Sequence, residues 1–379
     1  MSSVLSPITY FRRNPTRTLP IGLVIIMAII MVSSVVSVIG SVNLTIYTLY
    51  GYNKDLTGMT PRNSIDIPDN EVSKMKQLPQ LGKLFRTHSY QVEVKTIFGK
   101  MPFPLFGLPP AGRELLMKRT GVTLAAGRMC ESGKPEAVLS NAVARNLGVK
   151  IGDVLLDPNS LDRYAPIPVK LVGLLKGPVW LGLTSRSLVD NNSPLTFSGY
   201  LAFSPTASQA QQRALDNALE HTMDKSVVRV WRYAGLVKQT HSALSNLYLI
   251  LNIVVALISI GIALVCGLLS NIYFSQRLPE IATLWAIGYT RTSLLIRSLG
   301  EIAILCILGW ITGIGSSIAL LKVLYLTVLK PKGLLLDPVD PHAFLLTTQM
   351  PVVILLFALA TLWFRLTTLD PVSIIERRG

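Results

Sequence analysis

The sequence predicts an α-helical membrane protein with four transmembrane helices in a 1+3 order and a large α/β (α+β) extracytoplasmic domain inserted between helices 1 and 2. Half of the 379 residues are hydrophobic and only 15% are charged. Uncharged runs cover residues 18–53, 239–276, 302–321 and 343–364. A helix needs roughly 20 apolar residues to cross a bilayer, and each run is long enough. These observations favour a polytopic membrane protein over a soluble one.

The first apolar run predicts a retained transmembrane helix rather than a cleaved signal peptide. Its apolar core is longer than the roughly 7–15 residues of a signal-peptide apolar region, and no small-residue cleavage site follows it. The polar segment that follows is long enough to fold as a domain of its own. We therefore expect one anchor, one large domain and then three more spans.

Inside this domain, alternating or β-branched residues predict strands at 89–97, 167–175, 198–203 and 226–231. Ser204 and Pro205 are expected to open a helix between the last two strands. Its predicted apolar stripe consists of Ala210, Ala214, Leu215, Ala218 and Leu219, with Gln and charged residues opposite. The set Gly127, Gly148, Gly152 and Asp153 predicts turns without ligand contact.

Arginines flank the spans on what we expect to be one face of the membrane. They lie before the first span, between the second and third, and after the fourth: Arg12, Arg13, Arg17, Arg277, Arg291, Arg297, Arg365, Arg377 and Arg378. Short cytoplasmic segments are enriched in such residues, so both termini are expected in the cytoplasm and the inserted domain outside it.

The predicted division of the chain follows from these spans. It is a cytoplasmic N-terminal segment 1–18, transmembrane helix 1 at 19–43, an extracytoplasmic domain 44–243, transmembrane helix 2 at 244–272, a cytoplasmic loop with a coupling helix 273–296, transmembrane helix 3 at 297–326, an outer loop 327–343, transmembrane helix 4 at 344–365 and a cytoplasmic tail 366–379.

Several classes of function lack their sequence signatures. The net charge of +15 is scattered rather than clustered, which disfavours nucleic-acid binding. The four histidines are isolated, no HExxH, CxxC or GxSxG motif occurs, and the ATP-binding G-x-x-x-x-G-K-[ST] loop is missing. Cys266 and Cys306 fall in apolar runs and leave Cys130 without a partner for a disulfide. We expect a chain with no catalytic residues, no metal and no directly bound cofactor.

The third predicted span carries two further features. Gly309 and Gly313 have the G-x-x-x-G spacing that lets helix backbones approach closely, which fits either packing within the chain or a dimer seam. Arg297 and Glu301 lie four residues apart at the predicted inner edge of this span, where they can pair or extend to the interface. We therefore expect Glu301 to be interfacial rather than a proton relay.

A short amphipathic helix is predicted at residues 279–288. Pro279 suits its first turn, Glu280 lies near its positive end, and Gly288 provides a stop. Its apolar face has the helical spacing of Ile281, Leu284, Trp285 and Gly288. Two interpretations remain open: a helix that rests among lipid headgroups, or a lever that docks into another protein.

The same segment resembles the cytoplasmic coupling segment of the MacB/FtsX-type ABC transporter permeases, which include DevC and the LolC/LolE lipoprotein-release subunits. The resemblance rests on ten residues of the pattern R-x-x-E-I-A-x-L-x-A-I-G-x-T-R: Arg277, Glu280, Ile281, Ala282, Leu284, Ala286, Ile287, Gly288, Thr290 and Arg291. Three other stretches are similar to the family, namely residues 12–18, 127–155 and 369–379.

This resemblance implies a permease subunit in a bacterial plasma (inner) membrane that works as a homodimer with two copies of a cytoplasmic ABC ATPase. ATP and Mg would be bound by that partner, and the ATPase-coupling residues would be Arg277, Pro279, Glu280, Ile281, Leu284, Trp285, Gly288 and Arg291. The family's cargoes are hydrophobic, lipid-linked or peptidic, and some members recruit a periplasmic adaptor (membrane fusion) protein. The alternative function is a membrane-anchored sensor or scaffold without an ATPase.

Overall fold

The computed structural model describes residues 15–186 and 198–368, and the chain divides into two compact units. The membrane unit comprises Met1–Gly40, Asn246–Tyr325 and Leu336–Gly379, and the mixed domain comprises Ser41–Ser245 and Leu326–Leu335. The predicted arginine flanks at Arg12, Arg13, Arg377 and Arg378 lie outside the described residues, as does the tail motif at 369–379.

The helices of the described chain are α1 (Pro15–Leu49), α2 (Asp69–Lys76), α3 (Pro110–Thr120), α4 (Asn141–Leu147), α5 (Gln209–Thr222), α6 (Tyr233–Ala243), α7 (Ser245–Ala286), α8 (Arg291–Leu324), α9 (Pro341–Thr347) and α10 (Gln349–Thr368). The strands are β1 (Thr57–Pro61), β2 (Lys83–Thr96), β3 (Gly99–Leu108), β4 (Thr123–Gly127), β5 (Glu136–Ser140), β6 (Val154–Leu156), β7 (Val169–Lys176), β8 (Gly182–Ser185), β9 (Ser198–Phe203) and β10 (Val228–Trp231).

Among the described residues, four stretches are helical, long and apolar enough to cross a membrane: Thr18–Leu49, Ser245–Gln276, Thr292–Lys332 and Ala343–Phe364. Their shared core contains side chains from α1, α7, α8 and α10, such as Ile25, Phe274, Cys306 and Ile354. The predicted fold class, four spans around an inserted mixed domain, is confirmed.

The mixed domain is built on one continuous sheet in the described part of the chain. The strand order is β10-β1-β9-β2-β3-β8-β5-β7-β4, with β6 paired to β7. Strands β4 to β8 form an inserted half between β3 and β9, and parallel pairing of β3 with β8 joins it to the rest. All four predicted strand segments lie on or overlap observed strands.

Three of the turn residues predicted in the inserted half, Gly148, Gly152 and Asp153, occupy turns, whereas Gly127 is the last residue of strand β4 and pairs with Gly173. Gly148 ends α4 in the left-handed region at φ +71°, and Gly152 has φ +98°. The carboxylate of Asp153 accepts a hydrogen bond from the backbone N–H of Lys150 at 2.8 Å. This arrangement is the local side-chain-to-backbone bonding expected of aspartate in turns.

The prediction for helix α5 was wrong in two respects. The helix begins at Gln209 rather than at Ser204 and Pro205. Its buried face combines Leu215 and Leu219 with the polar Gln212 and Asp216, while the predicted stripe members Ala210 and Ala214 are exposed. The buried polar groups are tolerated because they are hydrogen-bonded to β1, where Thr57 Oγ1 donates to Asp216 Oδ1 and accepts from Gln212 Nε2 at 2.9 Å.

The segment after α8 is not a simple loop. A π-helical turn at Tyr325–Leu329 and a 3-10 turn at Lys330–Lys332 continue from the helix, and residues Leu326–Leu335 belong to the mixed domain. Gly333 lies so close to α4 that a Cβ there would clash with the carbonyl oxygen of Ala142 and lie 2.8 Å from the backbone N of Asn146. Packing against α4 therefore makes this segment part of the domain.

Candidate coupling site

The predicted coupling segment forms the closed end of a helical hairpin made by α7 and α8. Helix α7 ends at Ala286, and Gly288 has φ +105°, a conformation that side-chain-bearing residues rarely adopt. The N–H of Gly288 donates to the Trp285 carbonyl at 2.9 Å, and the N–H of Tyr289 donates to the Leu284 carbonyl at 3.2 Å. These bonds satisfy carbonyl groups of the last helical turn. Gly288 is thus the predicted helix stop.

The next helix is capped by a residue of the same turn. Thr290 has an extended backbone at φ −72° and ψ 151°, and its hydroxyl accepts a hydrogen bond from the Ser293 N–H at 3.3 Å. Such a side chain satisfies one of the free N–H groups at the start of a helix. Only four residues separate α7 from α8, so the hairpin turns sharply at residues 287–290.

The prediction of a separate helix that starts at Pro279 was wrong. Pro279 lies inside α7, which runs without interruption for 42 residues. A proline removes one backbone hydrogen bond from a helix, but a long membrane helix can tolerate this loss. One turn later, Thr283 Oγ1 donates to the Pro279 carbonyl at 2.8 Å. The coupling segment is therefore a continuous helical extension of span two.

The predicted apolar docking face is partly covered by the same chain. Leu284 and Trp285 are half-buried and pack against Leu294 of α8, which is 3% exposed. The exposed apolar side chains lie at the turn: Ile287 is 72% exposed and Tyr289 is 39% exposed. Sequence reasoning did not single out these two as coupling residues. The available signal was their position on either side of Gly288.

The remaining predicted coupling residues are distributed around this hairpin. Pro279 is half-buried and Glu280 is exposed. Arg277 and Ile281 lie on the α7 backbone and Arg291 starts α8, but their side chains are outside the described part of the structure. The structure thus brings Leu284, Trp285 and Gly288 together at the hairpin end.

A polar contact joins α7 and α8 further along the hairpin. Tyr273 Oη lies 3.4 Å from Glu301 Oε2, and Arg297 Nε lies 3.8 Å from Glu301 Oε1. The predicted pairing of Arg297 with Glu301 is therefore present. Glu301 is fully buried because its turn of α8 faces the other helices, where Tyr273 and Phe274 are also buried. Its depth at the membrane interface stays a prediction.

Spans one and three, in helices α1 and α8, pack closely against each other. A Cβ at Gly309 would lie 2.7 Å from Ile25 Cγ2, and one at Gly313 would lie 2.8 Å from Ile29 Cβ. One further turn along both helices, Ser317 Oγ donates to Ser33 Oγ at 3.0 Å. Contacts that advance together on both helices indicate a parallel pair. This geometry favours the packing interpretation of the G-x-x-x-G pair.

Among the described residues, no group of three or more His, Cys, Asp or Glu side chains is arranged to hold a metal ion. At the hairpin end, the described side chains of Ile287 and Tyr289 offer exposed apolar surface on a tight turn. Chemically, this arrangement can support a contact between proteins.

The hairpin and the spans that carry it match a known family. The family model described as FtsX-like permease C-terminal matches residues 252–371. These residues are therefore similar to the C-terminal domain of FtsX-like permeases. This domain contains most of α7 and all of α8, α9 and α10, so the hairpin end at Gly288 lies within it. The predicted resemblance to FtsX-type permeases is confirmed over these residues.

Solved structures similar to the chain include a periplasmic region and an extracellular domain. The periplasmic region of MacB from Actinobacillus actinomycetemcomitans is 12% identical, with a TM-score of 0.30, and the match covers 50% of this chain and 92% of that one. The extracellular domain of the noncanonic ABC-type transporter YknZ from Gram-positive bacteria is 12% identical, with a TM-score of 0.26, covering 47% and 100%. No curated protein matches the sequence.

Proposed function

We propose that the chain is the permease subunit of an ABC transporter in which a separate cytoplasmic ATPase drives movements of an extracytoplasmic mixed domain. The observation that carries this proposal is the FtsX-like permease match, because it covers the hairpin and three of the four spans. The cargo is expected to be hydrophobic, lipid-linked or peptidic, and it would be exported or extracted from the membrane.

The proposed assembly contains two permease copies and two ATPase subunits in the plasma membrane. ATP and Mg would be bound by the ATPase, since the permease sequence has no phosphate-binding loop of the G-x-x-x-x-G-K-[ST] type. A periplasmic adaptor protein would complete the export pathway where the cargo has to leave the cell envelope. Both termini of the permease would then be cytoplasmic.

We place the ATPase contact at the hairpin tip, which we define as Ile287, Gly288 and Tyr289. The two apolar side chains project from a turn whose conformation is fixed by the glycine and by the Thr290 cap. Exposed apolar side chains on a rigid support are typical anchors of protein interfaces. Leu284 and Trp285 would instead hold the hairpin together through Leu294.

Contacts between neighbouring helices would transmit a displacement of the hairpin tip through the membrane unit. Contacts near the tip join α7 to α8, and Tyr273 and Glu301 join the same helices further along. Helix α8 in turn packs against α1 through Gly309 and Gly313. Displacement of the tip would therefore be transmitted through α7 and α8 to α1.

The experiment is co-purification of the full-length permease with the ABC ATPase encoded by a neighbouring reading frame. Ile287→Ser is expected to reduce the amount of bound ATPase about tenfold, since loss of one interface anchor costs roughly 1.4 kcal/mol or more. The matched control is Ile296→Ser, because Ile296 is 65% exposed on α8 but lies away from the tip. Its ATPase yield should equal that of the unaltered chain.

Two results would contradict the proposal. If no ABC ATPase associates with the unaltered permease, the transporter function is wrong and the sensor or scaffold alternative gains support. If the ATPase binds the unaltered permease and binds the Ile287→Ser and Ile296→Ser variants equally well, the chain is still a permease subunit. The hairpin tip is then not the ATPase contact.

A further inference from the structure

A cleft of about 460 Å³ opens on the mixed domain between one face of α3 and the segment that follows β4. Met117, Met129 and Cys130 contribute apolar sulfur-containing surface to it. Its volume falls in the range of small-molecule sites, roughly 300–1,000 Å³. Methionine side chains are flexible and polarizable, so such walls adapt to apolar chains of varied shape.

A buried cation lies in the wall of this cleft. Arg113 is 6% exposed, and its Nη1 donates to the carbonyl oxygen of Cys130 and to Cys130 Sγ at 2.7 Å. Its Nε is buried and has no hydrogen-bond partner in the described chain. No carboxylate of the described residues forms an ion pair with this guanidinium. Buried charges in proteins are normally paired, so this one lacks its counter-ion.

The neighbouring thiol does not supply the missing negative charge. Burial raises the pKa of Cys130 above its usual value, although the Arg113 guanidinium acts in the opposite direction. The thiol therefore stays neutral at physiological pH. At the rim, Glu114 and Lys118 are both exposed and of opposite sign, so together they add no net charge.

We infer that this cleft binds an amphiphile with one anionic headgroup, whose charge pairs with Arg113 and whose apolar chain lies against Met117 and Met129. A carboxylate or phosphate is a geometric match for a guanidinium, which presents its donors in a planar fork. Binding depends only on the mixed domain. That the amphiphile is cargo rests on the permease function proposed above.

The test uses the full-length protein in lipid nanodiscs and photoreactive amphiphiles of equal chain length. Diazirine-labelled palmitate and lysophosphatidate provide carboxylate and phosphate headgroups, and the corresponding palmityl alcohol is the neutral probe. Mass spectrometry locates the cross-links. At least one anionic probe should label peptides within residues 110–130 about tenfold more than the alcohol, and the better probe identifies the headgroup.

Variants separate charge from shape. Arg113→Met should reduce labelling of residues 110–130 by about tenfold, and Met117→Trp should do so by filling the cleft while the guanidinium remains. Arg145→Met removes an exposed arginine of α4 and should have no effect. Thermal unfolding of each variant checks that the domain is folded.

The inference is overturned if no probe labels residues 110–130, if the alcohol labels them as well as the anions, or if a folded Arg113→Met variant is labelled like the unaltered protein. The ATPase is absent from this assay. Failure here therefore leaves the permease proposal intact, and failure of ATPase co-purification leaves the binding result intact.

Discussion

At the scale of single residues, Gly288 shows how local chemistry determines the candidate site. Its positive φ ends α7, and the exposed Ile287 and Tyr289 flank it. The sequence predicted this helix stop because glycine after an apolar helical pattern is a common end signal. It could not predict which apolar side chains are covered, since that depends on the contact of Trp285 with Leu294 of the next helix.

Gly288→Ala is expected to destabilise the hairpin by about 1–2 kcal/mol, because alanine is strained at this φ. A Cβ at position 288 meets no atom within 4 Å, so the cost is in the backbone alone. This destabilisation should appear as a lower melting temperature in detergent and as weaker ATPase binding.

The control for this change is Gly300→Ala, a helical glycine with equally open space around it. Alanine there should stabilise α8 by up to roughly 1 kcal/mol, since alanine is the better helix former. Equal behaviour of the two variants would mean that the turn conformation does not depend on glycine.

Asp216 gives a prediction for the pH dependence of stability. Burial raises the pKa of this carboxyl above its usual value, against the lowering effect of hydrogen bonds from Thr57 and Gln212. The folded state then holds the proton more tightly than the unfolded state. The stabilisation is therefore present below the ordinary aspartate pKa and is lost as the pH rises through the raised pKa.

Asp216→Asn is expected to remove the pH-dependent part of the stability that this carboxyl contributes. The melting temperature of the unaltered protein should fall relative to that of the variant as the pH rises above about 4, the ordinary aspartate pKa. Differential scanning calorimetry at several pH values measures this difference. A difference that does not change with pH would show that Asp216 titrates normally.

At the scale of elements, the spans themselves were predictable because a membrane helix needs a long uncharged run, and such runs are visible in the chain. The helices against which each span packs were not predictable. The spacing of Gly309 and Gly313 indicates close approach to some helix, but only the structure identifies Ile25 and Ile29 of α1 as the neighbours. The same limit explains α5, where Thr57 of a distant strand makes burial of Gln212 and Asp216 acceptable.

Gly313→Ala is expected to destabilise the pair of α1 and α8. The added Cβ would lie 2.8 Å from Ile29 Cβ, and overpacking of this kind typically costs 1–3 kcal/mol. Gly315→Ala is the matched control, because it lies two residues away on α8 with nothing within 4 Å. Thermal unfolding in detergent should therefore show a lower melting temperature for the first variant and an equal or higher one for the second.

If both alanine variants melt alike, the parallel packing of spans one and three does not depend on these glycines. A changed oligomeric state only in Gly313→Ala would instead support the dimer-seam interpretation. Size-exclusion chromatography with light scattering distinguishes these outcomes.

At the scale of the whole molecule, the 1+3 order and the mixed sheet follow from the sequence, whereas the membership of residues Leu326–Leu335 does not. That segment follows span three, so its polar sequence predicts a plain loop. Its place in the mixed domain depends on the approach of Gly333 to α4, nearly 200 residues earlier in the chain. Contacts of this sequence separation leave no local pattern.

The central claim is that work done at the hairpin tip reaches a domain on the other side of the membrane. Side-specific labelling tests it most directly. In a chain with Cys130, Cys266 and Cys306 replaced by alanine, single cysteines are placed at Ile287, in the tip, and at Leu161, which is 100% exposed on the mixed domain. We predict that a membrane-impermeant maleimide added to spheroplasts labels Leu161→Cys at once and Ile287→Cys only after permeabilisation. Labelling of both positions from the same side would contradict the account.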